Sequence, residues 1–225
     1  MKIINYILNI VFPSRCVFCS KILKMGQNIC PDCLKKNVYA GKLCTKCGCV
    51  QNKCCCKYNR FLFEECVAPY AFDKNIKTLV YNLKFEGSAQ TADFLADNMN
   101  KSIKDCFYGI KFDAVTSVPM GKWGRYMRGY NQSRLLAKRI ADKNNLPYAE
   151  VLFKRGNHIQ HKLNRSERFK NVHGVFGIKR QYKCENILLI DDIKSTGATL
   201  NECARQLKFA GCKNVFCCVA ATNCK

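Results

Sequence analysis

The chain has 225 residues, of which 48% are apolar, so it is long enough for one large domain or for a medium domain joined to a small one. Its formal net charge of +22 is extreme for this length and predicts an acidic partner: nucleic acid, a phosphorylated small molecule or an anionic membrane surface. The alternative is a basic surface that serves only solubility. No apolar run reaches the roughly 18 residues of a membrane span, so we expect no transmembrane segment.

Cysteines are concentrated at the amino-terminal end, where eleven of the 18 lie within the first 66 residues. The start "MKIINYILNIVFP" has no small-residue cleavage site, so we expect a reducing, cytoplasmic compartment, in which clustered thiols usually bind metal. "CVFC" and "CPDC" are two C-x2-C pairs that can fold back to offer four thiolates to a structural Zn²⁺ ion. This first predicted site consists of Cys16, Cys19, Cys30 and Cys33.

A second zinc site is predicted from "CTKCG" and the "CCC" run that follows it. Adjacent cysteines rarely bind one metal without backbone strain, so the outer two of the run are the better pair, and Cys49 and Cys55 are expected to be bystanders. The predicted ligands are therefore Cys44, Cys47, Cys54 and Cys56. The alternative is incidental buried thiols, which is how we interpret the later cysteines. A segment this short cannot build a sufficient apolar core, so metal would stabilise residues 1–66 as a small zinc-ribbon domain.

Residues 67–225 are predicted to form the larger domain, which begins with two helices. "NIKTLVYNLKF" places Ile76, Leu79, Val80 and Leu83 at helical spacing. "SAQTADFLADNMNKSI" repeats that spacing, and Ser88 is the expected N-cap.

Strands and helices then alternate along the chain. "FDAVTSVP", "ILLI" and "NVFCCVAA" have the pattern of buried strands, whereas "NQSRLLAKRIADKNN" and "ATLNECARQLKFAG" have that of helices. This alternation predicts an α/β fold, a parallel sheet with helices on both faces.

The stretch "ILLIDDIKSTGATL" carries the predicted ligand site, because ligands of such folds bind at the carboxyl ends of strands. The free N–H groups and the dipole of a helix N-terminus attract an anion. The helix predicted after "ILLIDD" is preceded by a loop that contains hydroxyl side chains, a lysine and a glycine. Carboxylates repel phosphate, so Asp191 and Asp192 must accept hydrogen bonds from sugar hydroxyls on the same ligand. The pattern therefore predicts a ribose 5-phosphate site. Its phosphate-binding residues would be Lys194, Ser195, Thr196, Gly197, Ala198 and Thr199.

The same stretch resembles the signature by which type I phosphoribosyltransferases bind phosphoribosyl pyrophosphate. Further segments resemble the ComF family, which joins an amino-terminal zinc ribbon to a phosphoribosyltransferase-like domain and is associated with DNA uptake and processing during competence. They include "LNIVFPSRCVFC", "VAPYAF" and "VPMGKWGRYMRGYNQSRLLA". The family hallmark "RGYNQ" is present, and so is a Gln-x2-Leu-x4-Arg-x2-Asn pattern at Gln160, Leu163, Arg168 and Asn171. Two departures are Asn157, where the family often has Thr, and the "CCC" run.

The resemblance implies an enzyme that transfers a phosphoribosyl group to an unidentified acceptor. Pyrophosphate would leave C1 of the ribose, and cations together with a Mg²⁺ ion held mostly by water and ligand oxygens would stabilise its charge. "VPMGKWGR" follows the first buried strand, which places Lys122, Arg125 and Arg128 to meet the pyrophosphate. The alternative for these three is a solvated basic loop.

A second hypothesis is a non-catalytic module that binds nucleic acid or a protein partner and only senses a phosphoribosyl ligand. Basic side chains would follow a single-stranded DNA backbone, and Trp123, Tyr126 or Tyr130 would stack on bases. These basic residues are Arg60, Arg128, Arg134, Lys138, Arg139, Arg155, Lys162, Arg165 and Arg168. The three on the "NQSRLLAKRIADKNN" helix are expected to face outward, away from the phosphoribosyl site. Competence or DNA-processing proteins would be the protein partners.

Overall fold

The computed structural model describes residues 13–24, 26–36, 43–51, 54, 56–57, 60–86, 88–155 and 172–223. Cys55 and the Gln-x2-Leu-x4-Arg-x2-Asn pattern lie outside these residues. So do three of the predicted DNA-binding side chains, Lys162, Arg165 and Arg168.

Helices and strands are interspersed along the described part of the chain. The helices are α1 (Pro31–Lys36), α2 (Lys74–Tyr81), α3 (Ala89–Cys106), α4 (Lys122–Arg128), α5 (Gln132–Lys143) and α6 (Ala198–Phe209). The strands are β1 (Cys66–Val67), β2 (Tyr70–Ala71), β3 (Ala114–Ser117), β4 (Leu152–Lys154), β5 (Phe176–Ile178), β6 (Cys184–Lys194) and β7 (Cys212–Thr222).

The main sheet is parallel throughout, with β6 and β7 at its centre. β3 pairs with one side of β6, and β1 and β2 both pair with the far side of β7. Four consecutive apolar residues of β6, from Ile187 to Ile190, are fully buried, because the sheet is covered on both faces. The predicted α/β class is therefore confirmed.

Side chains of β6 alternate between two apolar cores. Leu188 and Ile190 pack with helices α2, α3 and α5 on one face, whereas Ile187 and Leu189 pack with α6 on the other. The side chain of Ser88 accepts a hydrogen bond from Thr91 N at 3.2 Å, so the predicted N-cap of α3 is confirmed. No described helix is long and apolar enough to cross a lipid bilayer.

The two cysteine-rich loops lie against opposite faces of the sheet. The first places Phe18 in edge-to-face contact with Phe94 of α3, with ring centroids 5.8 Å apart. The second joins the other core through Cys47, Cys49 and Phe63. The two predicted domains therefore share packed cores in the structure, and a division at residue 66 stays a prediction.

Two elements end at residues other than those that the sequence pattern predicts. Helix α2 ends at Tyr81 and continues as a π-helical segment, Asn82–Glu86. Strand β6 runs beyond "ILLI" to Lys194, since β7 pairs with it as far as Thr222. Asp191 and Asp192 thus lie within the last four residues of a strand rather than after its end.

Candidate functional site

Both predicted cysteine tetrads come together in the structure. In each, the four Sγ atoms lie within 4.8 Å of one another. Burial, and then the neighbouring thiols, raises the pKa of the Cys33 and Cys56 thiols, so four crowded thiolates need a cation among them. Four sulfur donors at this spacing fit structural Zn²⁺.

Cys49, expected to be a bystander, is buried in the core beside the second tetrad. Its sulfur accepts a hydrogen bond from Lys194 Nζ at 3.4 Å. Lys194 is only 1% exposed. We expected Lys194 to bind the phosphate with the residues of the loop, and the structure places its side chain beneath that loop.

The two adjacent carboxylates of β6 have different partners. Asp191 is buried, and its Oδ1 accepts hydrogen bonds from Ser133 Oγ at 2.7 Å and from Asp192 N at 2.9 Å. Asp192 is half-buried, and its Oδ2 lies 2.9 Å from Lys84 Nζ. Within the described part of the chain, Asp191 Oδ2 receives no hydrogen bond, which leaves it available to a hydroxyl donor.

Burial is the main reason that the pKa of Asp191 is raised to about 7, and repulsion by Asp192 adds to the shift. Ser133 and Lys84 oppose it by stabilising negative charge. Asp191 is therefore partly protonated near neutral pH, and its ability to accept a hydrogen bond from a ligand grows as the pH rises through 7.

The loop between β6 and α6 is shaped by Gly197, which has a φ of 84°. A Cβ at this position would come within 2.9 Å of the Phe61 ring. Both the conformation and the contact therefore favour glycine. Thr196 Oγ1 accepts a hydrogen bond from Ala198 N at 3.3 Å, and Ser195 and Thr199 are half-buried at the rim. The loop leads into the N-terminus of a twelve-residue helix, an arrangement suited to a phosphate group.

The end of β3 supplies the other wall of the site. Val118 N donates to Ile190 O at 3.0 Å, so the chain that continues from Pro119 starts beside Asp191. A cavity of about 710 Å³ opens there, between α4 and the antiparallel pair β4–β5. Its cationic lining residues are Lys122, Arg125, Arg134, Lys154 and Lys179, and its carboxylate is Glu150.

Two of the three cations predicted to meet pyrophosphate, Lys122 and Arg125, line this cavity. The third, Arg128, lies with its guanidinium carbon 5.5 Å from the centre of the Phe85 ring. The structure therefore brings two of the three together.

The "RGYNQ" segment forms the corner between α4 and α5. Gly129 ends α4 with a φ of 73°, and the Asn131 side chain caps α5 by accepting from Ser133 N at 3.0 Å. Asn131 Nδ2 also donates to Val118 O at 3.0 Å. The corner is thereby tied to the end of β3, and it delivers Ser133 to Asp191. Gln132 is buried, and its Nε2 has no hydrogen-bond partner among the described residues.

Arg134 lies on the same face of α5 as Lys138 and its side chain is 38% exposed, but, contrary to expectation, this face is not remote from the candidate site. Its guanidinium lies 3.4 Å from Glu150 and lines the 710 Å³ cavity. It also lines a neighbouring cavity of about 540 Å³, together with Arg125, Tyr130 and Lys138. Arg139 pairs instead with Asp93.

Sequence reasoning missed Ser133 and Lys84 as partners of the carboxylates. They are 58 and 108 positions away from Asp191 and Asp192 respectively, and no local pattern links them. Ser133 adjoins the family hallmark, which is the single signal that could have drawn attention to it.

Comparison with known proteins gives matches over nearly the whole chain. Residues 7–66 match the family model described as "Double zinc ribbon domain". The chain is 24% identical over 218 residues to Competence protein F of Haemophilus influenzae, covering 91% of this chain and 95% of that protein. It is 28% identical over 195 residues to Competence protein ComFC of Bacillus subtilis, covering 85% of this chain and 77% of that protein.

Among solved structures, a purine phosphoribosyltransferase from Pyrococcus horikoshii matches 60% of this chain and 74% of its own, with a TM-score of 0.38 and 15% identity. The matches to competence proteins and to the double zinc ribbon agree with the motifs and with the two cysteine tetrads. The chain is therefore similar to the ComF family over most of its length.

Proposed function

We propose that the protein binds phosphoribosyl pyrophosphate at the carboxyl edge of its sheet and acts in the handling of DNA during natural competence. One observation carries the proposal. The carboxylates of β6, the loop before α6 and the chain that leads from β3 to the cation-lined cavity all lie at the carboxyl ends of neighbouring parallel strands. The names of the relatives support the cellular role.

Each part of the ligand has a chemically matched part of the site. Ribose hydroxyls donate to Asp191 and Asp192, and the 5-phosphate accepts from the N–H groups and hydroxyls of the loop at 195–199. The pyrophosphate lies toward Lys122 and Arg125. A Mg²⁺ ion would be held mostly by ligand oxygens and water, and it would neutralise charge on the pyrophosphate when bound.

The reaction would be a phosphoribosyl transfer. A nucleophilic atom of the acceptor forms a bond to ribose C1, and the bond between C1 and the pyrophosphate oxygen breaks. Pyrophosphate leaves with the electron pair, and the cations around the cavity stabilise its developing charge. Among the described residues, the geometry of the site assigns no general base.

Calorimetry with phosphoribosyl pyrophosphate and Mg²⁺ tests the binding, and a pyrophosphate-release screen over nucleobases and amines tests the turnover. An enzyme releases pyrophosphate with some acceptor, whereas a sensor binds without turnover. Absence of binding, with the protein folded and zinc-loaded, would contradict both forms of the proposal.

Binding of single-stranded nucleic acid is a second candidate function, favoured by the surface of α4. Trp123 and Tyr126 are 62% and 82% exposed, with ring centroids 6.0 Å apart. In the chain, Arg125 lies between these two aromatic residues and Lys122 precedes both. Lys138, which lines the 540 Å³ cavity, is a further cation near this surface. Exposed aromatic rings within a cationic surface suit bases and phosphates of a single strand.

A further inference from the structure

Lys84 is a charged residue of the candidate site that no motif assigns. Its Nζ lies 2.9 Å from Asp192 Oδ2, and the two side chains are 23% and 15% exposed. A pair this sheltered is screened less than one on the open surface. Lys84 is therefore close to a carboxylate to which the proposed function gives a ribose hydroxyl.

The backbone that carries Lys84 is unusual. It belongs to the five-residue π-helical segment Asn82–Glu86, and such segments are rare and frequently mark functional sites. Within it Leu83 is fully buried, whereas Phe85 is 58% exposed. Lys84 lies between them in the chain and is directed to Asp192.

Three contacts hold this segment against other parts of the molecule. Leu83 O accepts a hydrogen bond from the Tyr130 hydroxyl, and the guanidinium of Arg128 lies over the Phe85 ring. Both partners come from the corner between α4 and α5. On the other side, Asn82 Nδ2 donates to the backbone carbonyl of residue 17, in the first cysteine-rich loop, at 3.4 Å. The position of Lys84 is thus fixed by contacts on either side of it.

We propose that Lys84 is a positioning residue of the ribose subsite, which orients the Asp192 carboxylate to accept a hydrogen bond from a ribose hydroxyl. This inference rests on the proposed binding of phosphoribosyl pyrophosphate. Without the ammonium group, Asp191 and Asp192 would face each other's negative charge with less compensation. Among the described residues, the Asp192 side chain would then be held only by the hydrogen bond that its Oδ1 accepts from Ile193 N at 2.7 Å. Loss of Lys84 should therefore weaken binding of the ribose moiety and leave binding of the pyrophosphate unchanged.

The test measures the affinity of Lys84→Met for three probes with Mg²⁺ present: phosphoribosyl pyrophosphate, ribose 5-phosphate and inorganic pyrophosphate. We expect about a tenfold loss for the two probes that contain ribose, and a change of less than twofold for pyrophosphate. Lys84→Arg keeps the charge and should retain most of the affinity. Lys77→Met removes an exposed lysine of α2 and serves as the matched control.

The possible results are separable. If the parent binds phosphoribosyl pyrophosphate and Lys84→Met binds it equally well, the role of Lys84 is wrong and the proposed function stands. An equal loss for ribose 5-phosphate and pyrophosphate would also overturn it, because it would make Lys84 a general source of positive charge. If the parent binds no probe containing ribose, the proposed function itself fails. Should Lys84→Met unfold, Lys84→Arg and Lys84→Gln are compared over the same probes. A loss of affinity for the ribose-containing probes in Lys84→Gln but not in Lys84→Arg would support the role of Lys84, and equal affinities would overturn it.

Discussion

Ser133 Oγ lies 2.7 Å from Asp191 Oδ1, and this hydrogen bond joins the first turn of α5 to the strand that carries the ligand site. The hydroxyl stabilises the ionised carboxylate and partly offsets the effect of burial, and together with the other neighbours this leaves the pKa of Asp191 at about 7. The corner formed by "RGYNQ" therefore affects the charge of Asp191 as well as its position.

Ser133→Ala should raise the pKa of Asp191 further, because one donor to its carboxylate is lost. Near neutral pH we expect affinity for phosphoribosyl pyrophosphate to fall roughly tenfold, equivalent to about 1.4 kcal/mol. The loss should shrink as the pH is raised toward 9, where Asp191 ionises in both proteins. Calorimetry across this pH range checks the expectation, with Ser102→Ala as a control on α3. A loss that is independent of pH would contradict it.

Asp191→Asn should stabilise the fold at pH 8 while it weakens ligand binding. A carboxyl whose pKa is raised on folding keeps its proton in the folded state after the unfolded chain has lost it. The free energy of unfolding then decreases as the pH rises from about 4 to about 7. Asparagine does not ionise and so removes this pH-dependent loss of stability. Each pKa unit of the shift corresponds to about 1.4 kcal/mol in the free energy of unfolding.

Urea denaturation of the Asp191→Asn variant and the parent at pH 5 and pH 8 provides the measurement. The stability difference in favour of Asp191→Asn should be larger at pH 8. Asp113→Asn serves as a carboxylate control, because Asp113 lies at the opposite end of the strands, beside the start of β6. Equal differences at the two pH values would argue against a raised pKa at Asp191.

Purified protein should contain close to two zinc ions per chain, one for each cysteine tetrad. Cys54→Ser should lower the zinc content, whereas Cys55→Ser should spare it. Elemental analysis with matched protein concentrations decides between these outcomes. A content near one would remove the second site, and a zinc-free folded protein would remove both.

Single-stranded DNA should bind weakly and without sequence preference, and log affinity should fall linearly with log salt. Neutralisation of roughly four phosphates predicts a slope near −3. Lys138→Met should flatten this slope without affecting phosphoribosyl pyrophosphate. Arg134→Met should weaken the binding of both DNA and phosphoribosyl pyrophosphate, because Arg134 lines both cavities.

Fluorescence anisotropy with a labelled oligonucleotide gives the slope, and calorimetry gives the affinity for the small ligand. Arg139→Met is the control, since Arg139 is paired with Asp93. If DNA binding is undetectable even at low salt, the DNA-binding hypothesis is wrong. The positive charge would then serve the small ligand, a protein partner or solubility.

Local patterns in the sequence predicted the parts of this protein that depend on neighbouring residues. The apolar run at 187–190 predicted a buried strand, and Ser88 predicted a helix start, because both signals act within a few positions. Cysteine spacing likewise predicted which thiols come together, since short loops leave few alternatives.

Only the tertiary structure decided which distant side chains complete the ligand site. Lys84 and Ser133 reach the carboxylates from two separate elements, and Lys194 turns beneath its loop because Phe61 and Cys49 lie there. Arg134 lines the 710 Å³ cavity because the end of α5 that carries it is tied to β3. Such contacts depend on how whole elements pack, and the free energy of that packing is not encoded in any short stretch of sequence.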